Sequence, residues 1–311
     1  MYLAKMDDEF CGAKYYYKDN SIYFNIDFSL ADADFFALHE CLHYLQEVKD
    51  KKGNLIRLGL FDFIKNHGMA LNEASVQLMT VTALNNPMQE VSYYNLEFPS
   101  NSVDSYPLEC AIVRQMSYFT GTYPLYYSTL HGNDVFKNTF IALSNSKAFN
   151  VIETNLDKML SLENNLAIYF DELKSASNNV SKVRQLHSIV ENTKNDIMNL
   201  FLECQNTIIS NCFSKAIGNV HTVSDVKDLK EKIYNFKDYI ATNSSYTFYN
   251  DFYRQFMEKL DSKQSHIEEF GPYNLADGLS TNLTVISTSK KAFSLFRRLF
   301  TKLGILRQND F

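Results

Sequence analysis

The chain has 311 residues, of which 45% are hydrophobic and 21% are charged, and its formal net charge at pH 7 is −6. This composition is typical of a globular protein and excludes a disordered chain, a collagen-like repeat and a small disulfide-stapled scaffold. The acidic balance also argues against a general nucleic-acid binder.

The first part of the chain predicts mixed secondary structure. Residues 21–28 alternate strictly between apolar and polar side chains, which is typical of a half-buried β-strand. Asp32 or Asp34 can cap a following helix that runs to about Val48, because its apolar residues recur at helical spacing. A turn-rich link then leads to a second helix from about Leu71.

Proline distribution separates the next segment from the rest of the chain. Residues 86–108 hold three of the five prolines and are predicted as a long polar loop, and a third helix is predicted over 107–119. Between Pro124 and Pro272 there is no proline and very little glycine, so long helices are expected there. Apolar residues keep helical spacing in this part of the chain, with candidate helices over 156–173, 183–208, 224–241 and 246–262.

These elements predict an α+β protein with two domains. Residues 1–145 form a mixed domain, and residues 146–311 form a mostly α-helical domain. Near the end, residues 290–307 carry six Lys or Arg side chains, no acidic one and one apolar face. We expect a terminal helix docked on the helical domain, with weak contact to an anionic membrane or a partner as the alternative.

Cysteine content and hydropathy indicate the compartment. The five cysteines form no CxxC pair and have no regular spacing, so neither a disulfide framework nor a zinc ribbon is expected. The start of the sequence lacks a basic stretch followed by an apolar one, and no apolar run approaches about 18 residues. We therefore expect a cytoplasmic protein without a signal peptide or a transmembrane segment.

The residues that carry chemistry are His39-Glu40-Cys41-Leu42-His43, an HExxH motif within the first predicted helix. Histidines at positions i and i+4 lie on one helical face, one turn apart, so both imidazoles can reach one metal ion. Glu40 lies beside that ion, where it can take a proton from a water molecule. The pattern predicts a zinc site, although cobalt and manganese accept similar ligands.

A catalytic zinc site needs a third protein ligand and an open position. A third histidine six residues after His43 would fall on Lys49, and position 46 is Gln46 where a metzincin has glycine, so the metzincin pattern is absent. Glu73, in the first turn of the second predicted helix, is the preferred third ligand. The alternatives that stay open are Glu90, Glu97 and Glu109.

The motif followed by Asn72-Glu73 resembles the gluzincin branch of the zincin metallopeptidases over about residues 15–120. The resemblance implies a zincin-like catalytic domain in which His39, His43 and Glu73 hold Zn²⁺ and Glu40 is the general base for hydrolysis of a peptide or protein substrate. Many gluzincins have an aspartate four residues after the ligand glutamate. Here that residue is Gln77, whose amide oxygen can still accept an imidazole N–H but adds no negative charge.

The resemblance also implies a strand along the cleft and a group that stabilises the oxyanion. The strand over 21–28 resembles the element that pairs with an extended substrate in zincins. Tyr106, just before Pro107, is our choice for the catalytic hydrogen-bond donor, with Tyr94 and His131 as alternatives. Two other interpretations of the chain stay open: a non-catalytic zincin-like metal-binding or regulatory protein, and a helical interaction protein in which the motif is accidental.

Overall fold

The structure is a computed structural model that describes residues 1–6, 12–27, 33–176 and 179–271. About two-thirds (66%) of the described residues are helical, and the strands form small sheets. The prediction of a mixed α+β protein is therefore confirmed at this level. The basic segment 290–307 lies outside the described residues, as do Phe28 and Asp32.

The first sheet contains β1 (Tyr2–Ala4), β2 (Ala13–Tyr16) and β3 (Ser21–Asn25). The predicted alternation is confirmed over β3, whose inward-facing Ile22 and Phe24 pack against β2. However, β3 is the central strand, parallel to β1 on one side and antiparallel to β2 on the other. The prediction that this strand pairs with a substrate is wrong, because the hydrogen-bonding groups on both of its edges are taken up by neighbouring strands.

Two helices carry the candidate site. Helix α1 (Ala33–Leu45) ends before the predicted Val48, because β4 (Glu47–Lys49) pairs with β5 (Leu55–Leu58) in a second small sheet. Strand β6 (Phe61–Asp62) completes that sheet, and α2 (Met69–Ala83) follows. Helices α1 and α2 pack through a small apolar cluster formed by Leu38, Leu42, Val76, Met79 and Ala83.

The predicted loop over 86–108 contains a β-hairpin, so that prediction is wrong. Strands β7 (Gln89–Tyr93) and β8 (Leu96–Ser100) are antiparallel and joined by a two-residue turn. Tyr94 and Asn95 in this turn have φ values of 49° and 65°. Such a turn with both φ values positive matches the twist of a hairpin, and it forms here without the glycine that usually signals it.

The rest of the described chain is helical. The helices are α3 (Pro107–Thr120), α4 (Thr122–His131), α5 (Val135–Leu143), α6 (Ser146–Ser175), α7 (Val180–Gly218), α8 (Val223–Asn235) and α9 (Arg254–Phe270). The long uninterrupted helices expected after residue 145 are present, but the last two differ from prediction, because α8 ends in a 3-10 turn and α9 begins after a π-helical turn.

One large hydrophobic core joins the two parts of the chain. It includes Leu71 of α2 and Ile112 of α3 together with Leu156 of α6 and Phe201 of α7, all of them buried. Helices α6 and α7 therefore pack directly on the helices that follow the motif. The division at residue 145 stays a prediction. Among the described helices, we find none that is long and apolar enough to cross a membrane.

A buried carboxyl pair links α3 to α6 and gives a first prediction. Glu109, which is fully buried, interacts with Glu163 of α6, and burial raises the pKa of both carboxyl groups. In the unfolded chain, both carboxyl groups lose their protons near the ordinary pKa of 4.5. The folded pair, by contrast, keeps at least one proton at neutral pH. Because the folded state then binds more protons, stability should fall as the pH rises from about 5 through neutral.

We therefore expect Glu163→Gln to raise the melting temperature by a few degrees at pH 8 and by much less at pH 5. The neutral amide does not ionise, and it can donate a hydrogen bond to Glu109. Thermal unfolding of both proteins across this pH range measures the effect, with Glu172→Gln, an exposed position on the same helix, as the control. If the variant lost the same amount of stability at pH 5 and at pH 8, this result would contradict a protonated Glu109–Glu163 pair.

Candidate metal centre

Helices α1 and α2 bring His39, His43 and Glu73 together. The Nε2 atoms of the two histidines are 3.1 Å apart, and each lies 3.4 Å from Glu73 Oε2. Both histidines are buried, while the Glu73 side chain is 18% exposed. Among the described residues, these three form the group of potential metal ligands whose donor atoms converge. They are the same three residues that the sequence predicts.

The orientation of His39 is fixed by Gln77. The Gln77 Nε2 group donates to Ser102 Oγ at 2.8 Å, and that hydroxyl donates onward to the main-chain oxygen of Ser105. The amide oxygen of Gln77 therefore faces His39 and accepts from its Nδ1 atom at 3.1 Å. With the proton on Nδ1, Nε2 presents a lone pair to Glu73 and His43. Gln77 thus plays the acceptor role expected for it.

A second amide chain fixes His43. The main-chain N–H of Leu60 can only donate, and it donates to Asn72 Oδ1 at 3.0 Å. Asn72 Nδ2 consequently donates to Gln46 Oε1 at 3.0 Å, and the same oxygen accepts from His43 Nδ1 at 3.0 Å. The Nε2 lone pair of His43 therefore also points at the centre of the group.

This arrangement fits a zinc ion. Zinc bonds to nitrogen and oxygen are about 2.0–2.1 Å long, so two ligands of a tetrahedral site lie about 3.3–3.4 Å apart. The measured separations of 3.1, 3.4 and 3.4 Å match that triangle. Without a metal ion, a proton on His43 relieves the repulsion between these three acceptor atoms, and a zinc ion at the centre of the group would take its place.

The electrostatics point the same way. Burial alone would lower the pKa of His43, but the charge and hydrogen bond of Glu73 raise it to about 9. Burial would raise the pKa of Glu73, but His43 and His39 hold it well below its usual range. The site therefore keeps the carboxylate ionised and stabilises positive charge next to it.

Glu40 lies beside this triangle rather than in it. Its carboxylate is buried and accepts the main-chain N–H of Tyr15 in β2 at 2.5 Å. This N–H points away from β3. Backbone hydrogen-bonding groups alternate in direction along a strand, and those of the two neighbouring residues of β2 point toward β3. The Tyr15 hydroxyl in turn donates to Glu47 at 2.6 Å. Strand β2, at the edge of its sheet as described, is thus the strand that borders the site.

Tyr106 is placed at the site by a strained backbone. It precedes Pro107 at the start of α3 with φ 51° and ψ 42°, a left-handed conformation that costs a non-glycine residue on the order of 1 kcal/mol. Its ring stacks on His39, with centroids 6.3 Å apart. The Glu73 charge, then burial and the Glu40 charge, raise its pKa well above the ordinary value. The phenol therefore keeps its proton and can donate a hydrogen bond.

The alternatives for the hydrogen-bond donor lie elsewhere. Tyr94 is in the β7–β8 turn, where the charges of Glu163 and Glu109 act on it. His131 ends α4 and packs on Tyr127.

The alternative third ligands are also outside the group. Glu90 and Glu97 are exposed on β7 and β8, and Glu109 is paired with Glu163.

Three supporting residues are missing from the sequence predictions. Gln46 has a visible signal, because it lies three residues after His43 on the same helical face. Ser102 reaches Gln77 from 25 residues away, and no local pattern indicates this. Gly59 has φ +55°, and a Cβ atom there would lie 2.4 Å from Asn72 Oδ1 and 2.7 Å from Gln46 Nε2, so only glycine leaves room for the amide chain.

Comparisons with models of known families, with curated protein sequences and with solved structures gave no match. The assignment of the centre therefore depends on its own residues, distances and charges.

Proposed function

We propose that this protein is a zinc-dependent metallopeptidase of the gluzincin type, with a zincin-like domain within residues 1–145. The observation that carries the proposal is the triangle of His39, His43 and Glu73, in which three acceptor atoms converge at zinc spacing beside Glu40. An accidental HExxH would have no reason to meet a glutamate from another helix in this geometry.

Zinc held by these three residues would supply a Lewis acid that lowers the pKa of water and polarises a carbonyl group. Glu40 is the base that takes a proton from the attacking water and later delivers it to the leaving nitrogen. Tyr106 keeps its hydroxyl proton and donates it as a hydrogen bond to the negative charge that develops on the substrate oxygen. An extended peptide that paired with the β2 edge would lie next to Glu40, and it would have to compete with Glu40 for the Tyr15 N–H.

One observation favours the alternative, a protein that holds metal without turnover. Glu40 is only 7% exposed, and its carboxylate is engaged by the Tyr15 N–H. The Tyr15 contact takes up Oε2, so the proton would have to pass to Oε1 of a side chain that water hardly reaches.

The four cysteines within the described ranges, Cys41, Cys110, Cys204 and Cys212, are free thiols. This supports a reducing compartment such as the cytoplasm as the place where the protein acts.

The test is zinc-dependent cleavage of a complex peptide mixture. The chelator-treated protein and the zinc-reconstituted protein are each incubated with peptides from an unrelated proteome, and new termini are identified by mass spectrometry. We expect cleavages that appear with zinc, disappear with chelator and return when zinc is added back. A reconstituted protein that binds zinc but produces no new termini would favour the non-catalytic alternative.

A further inference from the structure

The start of α2 is capped by a residue from another helix. Gly68, at the N-cap position, has φ +87° and no side chain that could cap the first turn. Asp157 of α6 supplies the missing acceptors: its Oδ2 atom accepts from the Gly68 N–H at 2.8 Å, and its Oδ1 atom accepts from the Ala70 N–H at 2.9 Å. A carboxylate at this end is also stabilised by the helix dipole.

The helix cannot easily supply its own cap. A Cβ atom at Gly68 would lie 3.0 Å from the main-chain oxygen of Leu60 and 3.1 Å from Glu153 Oε1, and the backbone conformation disfavours a side chain. The usual capping residues Ser, Thr, Asp and Asn would therefore be strained at this position. The acceptor comes from α6 instead.

The capped helix carries three parts of the metal centre. Asn72 orients Gln46, Glu73 points at the histidines, and Gln77 orients His39. All three follow Ala70 within two turns, so a shift of the first turn moves them together. Since zinc ligands tolerate displacements of only about 0.5 Å, the position of this turn governs how well the three acceptors converge.

We propose that Asp157 is a positioning residue of the metal centre, which sets where α2 begins and thereby where Glu73 stands relative to His39 and His43. Its neighbours hold it in place: His67 Nδ1 lies 3.7 Å from Asp157 Oδ2 and 3.3 Å from Glu153 Oε2. The helical part of the chain thus takes part in building the site without touching the ion. This inference rests on the proposed zinc site.

The test is zinc affinity, measured on the full chain by competition with a chromophoric chelator well below the unfolding temperature. We expect Asp157→Ala to weaken zinc binding by about 10-fold or more, as is usual for groups that hold metal ligands in place. Asp157→Asn, which keeps one acceptor oxygen, should recover part of the loss.

Two control variants separate positioning from general destabilisation. Asp171→Ala removes an exposed carboxylate from the same helix, and Leu166→Ala removes buried apolar contacts of α6 without touching the cap. Both should bind zinc within about twofold of the parent. In the metal-free protein, amide exchange over residues 69–77 should accelerate in Asp157→Ala and not in Asp171→Ala.

The outcomes are distinguishable. Unchanged zinc affinity in Asp157→Ala overturns the inference and leaves the proposed function intact. Equal weakening in Leu166→Ala overturns it too, because affinity would then follow stability. A parent chain that binds no zinc overturns the metal site and this inference with it.

Discussion

Replacing Glu40 by glutamine is expected to abolish hydrolysis while zinc stays bound. Glutamine has nearly the same shape, and its amide oxygen can still accept the N–H of Tyr15, so the contact between β2 and α1 survives. An amide cannot take a proton from water at neutral pH. Loss of a general base lowers the rate by about 10²–10⁴-fold. The measurements are the initial rate on peptides cleaved by the parent and the zinc content of both proteins.

Glu47→Gln is the matched control for Glu40→Gln. The Glu47 carboxylate binds the hydroxyl of Tyr15, whereas that of Glu40 binds the main-chain N–H of the same residue. We expect this variant to retain a rate near that of the parent. Full hydrolytic activity in Glu40→Gln would remove Glu40 from the mechanism, and joint loss of zinc and activity would assign it a structural role.

Replacing His43 by alanine is expected to abolish specific zinc binding. The variant removes one of the three proposed ligands, and the Gln46 oxygen loses the imidazole N–H that it accepts. Zinc that binds only the folded state stabilises it, by about 2.7 kcal/mol at a free concentration 100 times Kd. Thermal unfolding with and without zinc should therefore show a rise in melting temperature for the parent and none for His43→Ala.

His187→Ala is the control for the loss of a histidine. His187 is exposed on α7 and lies outside the triangle, so its replacement should leave the zinc-dependent stabilisation in place. Glu73→Ala should behave like His43→Ala. If Glu73→Ala kept the full zinc response, the third ligand would lie elsewhere in the chain.

The parts of the site that the sequence predicts are those set by local spacing. His39 and His43 share a face because four residues make about one helical turn, and Glu40 falls beside them for the same reason. Glu73 could be chosen because it opens the next helix, and Gln77 because it lies one turn further along that helix. The structure brings the three predicted ligands together, while the binding of metal by them stays a prediction.

The parts that could not be predicted depend on contacts between distant segments. Whether β3 is an edge or a central strand depends on β1 and β2, which the alternation of β3 does not reveal. The hairpin at Tyr94 and Asn95 lacks the usual turn glycine. Ser102 and Asp157 support α2 from loops and helices far along the chain, and nothing in their local sequence marks them.

The most direct test of the metal centre is the metal content of the full chain, purified without chelator or affinity metal and measured by mass spectrometry. His43→Ala and Glu73→Ala are analysed in parallel. We expect about one zinc per parent chain and almost none in either variant. A parent chain that contains no zinc, even after zinc is added back and excess ion is removed, would contradict the proposed metal centre.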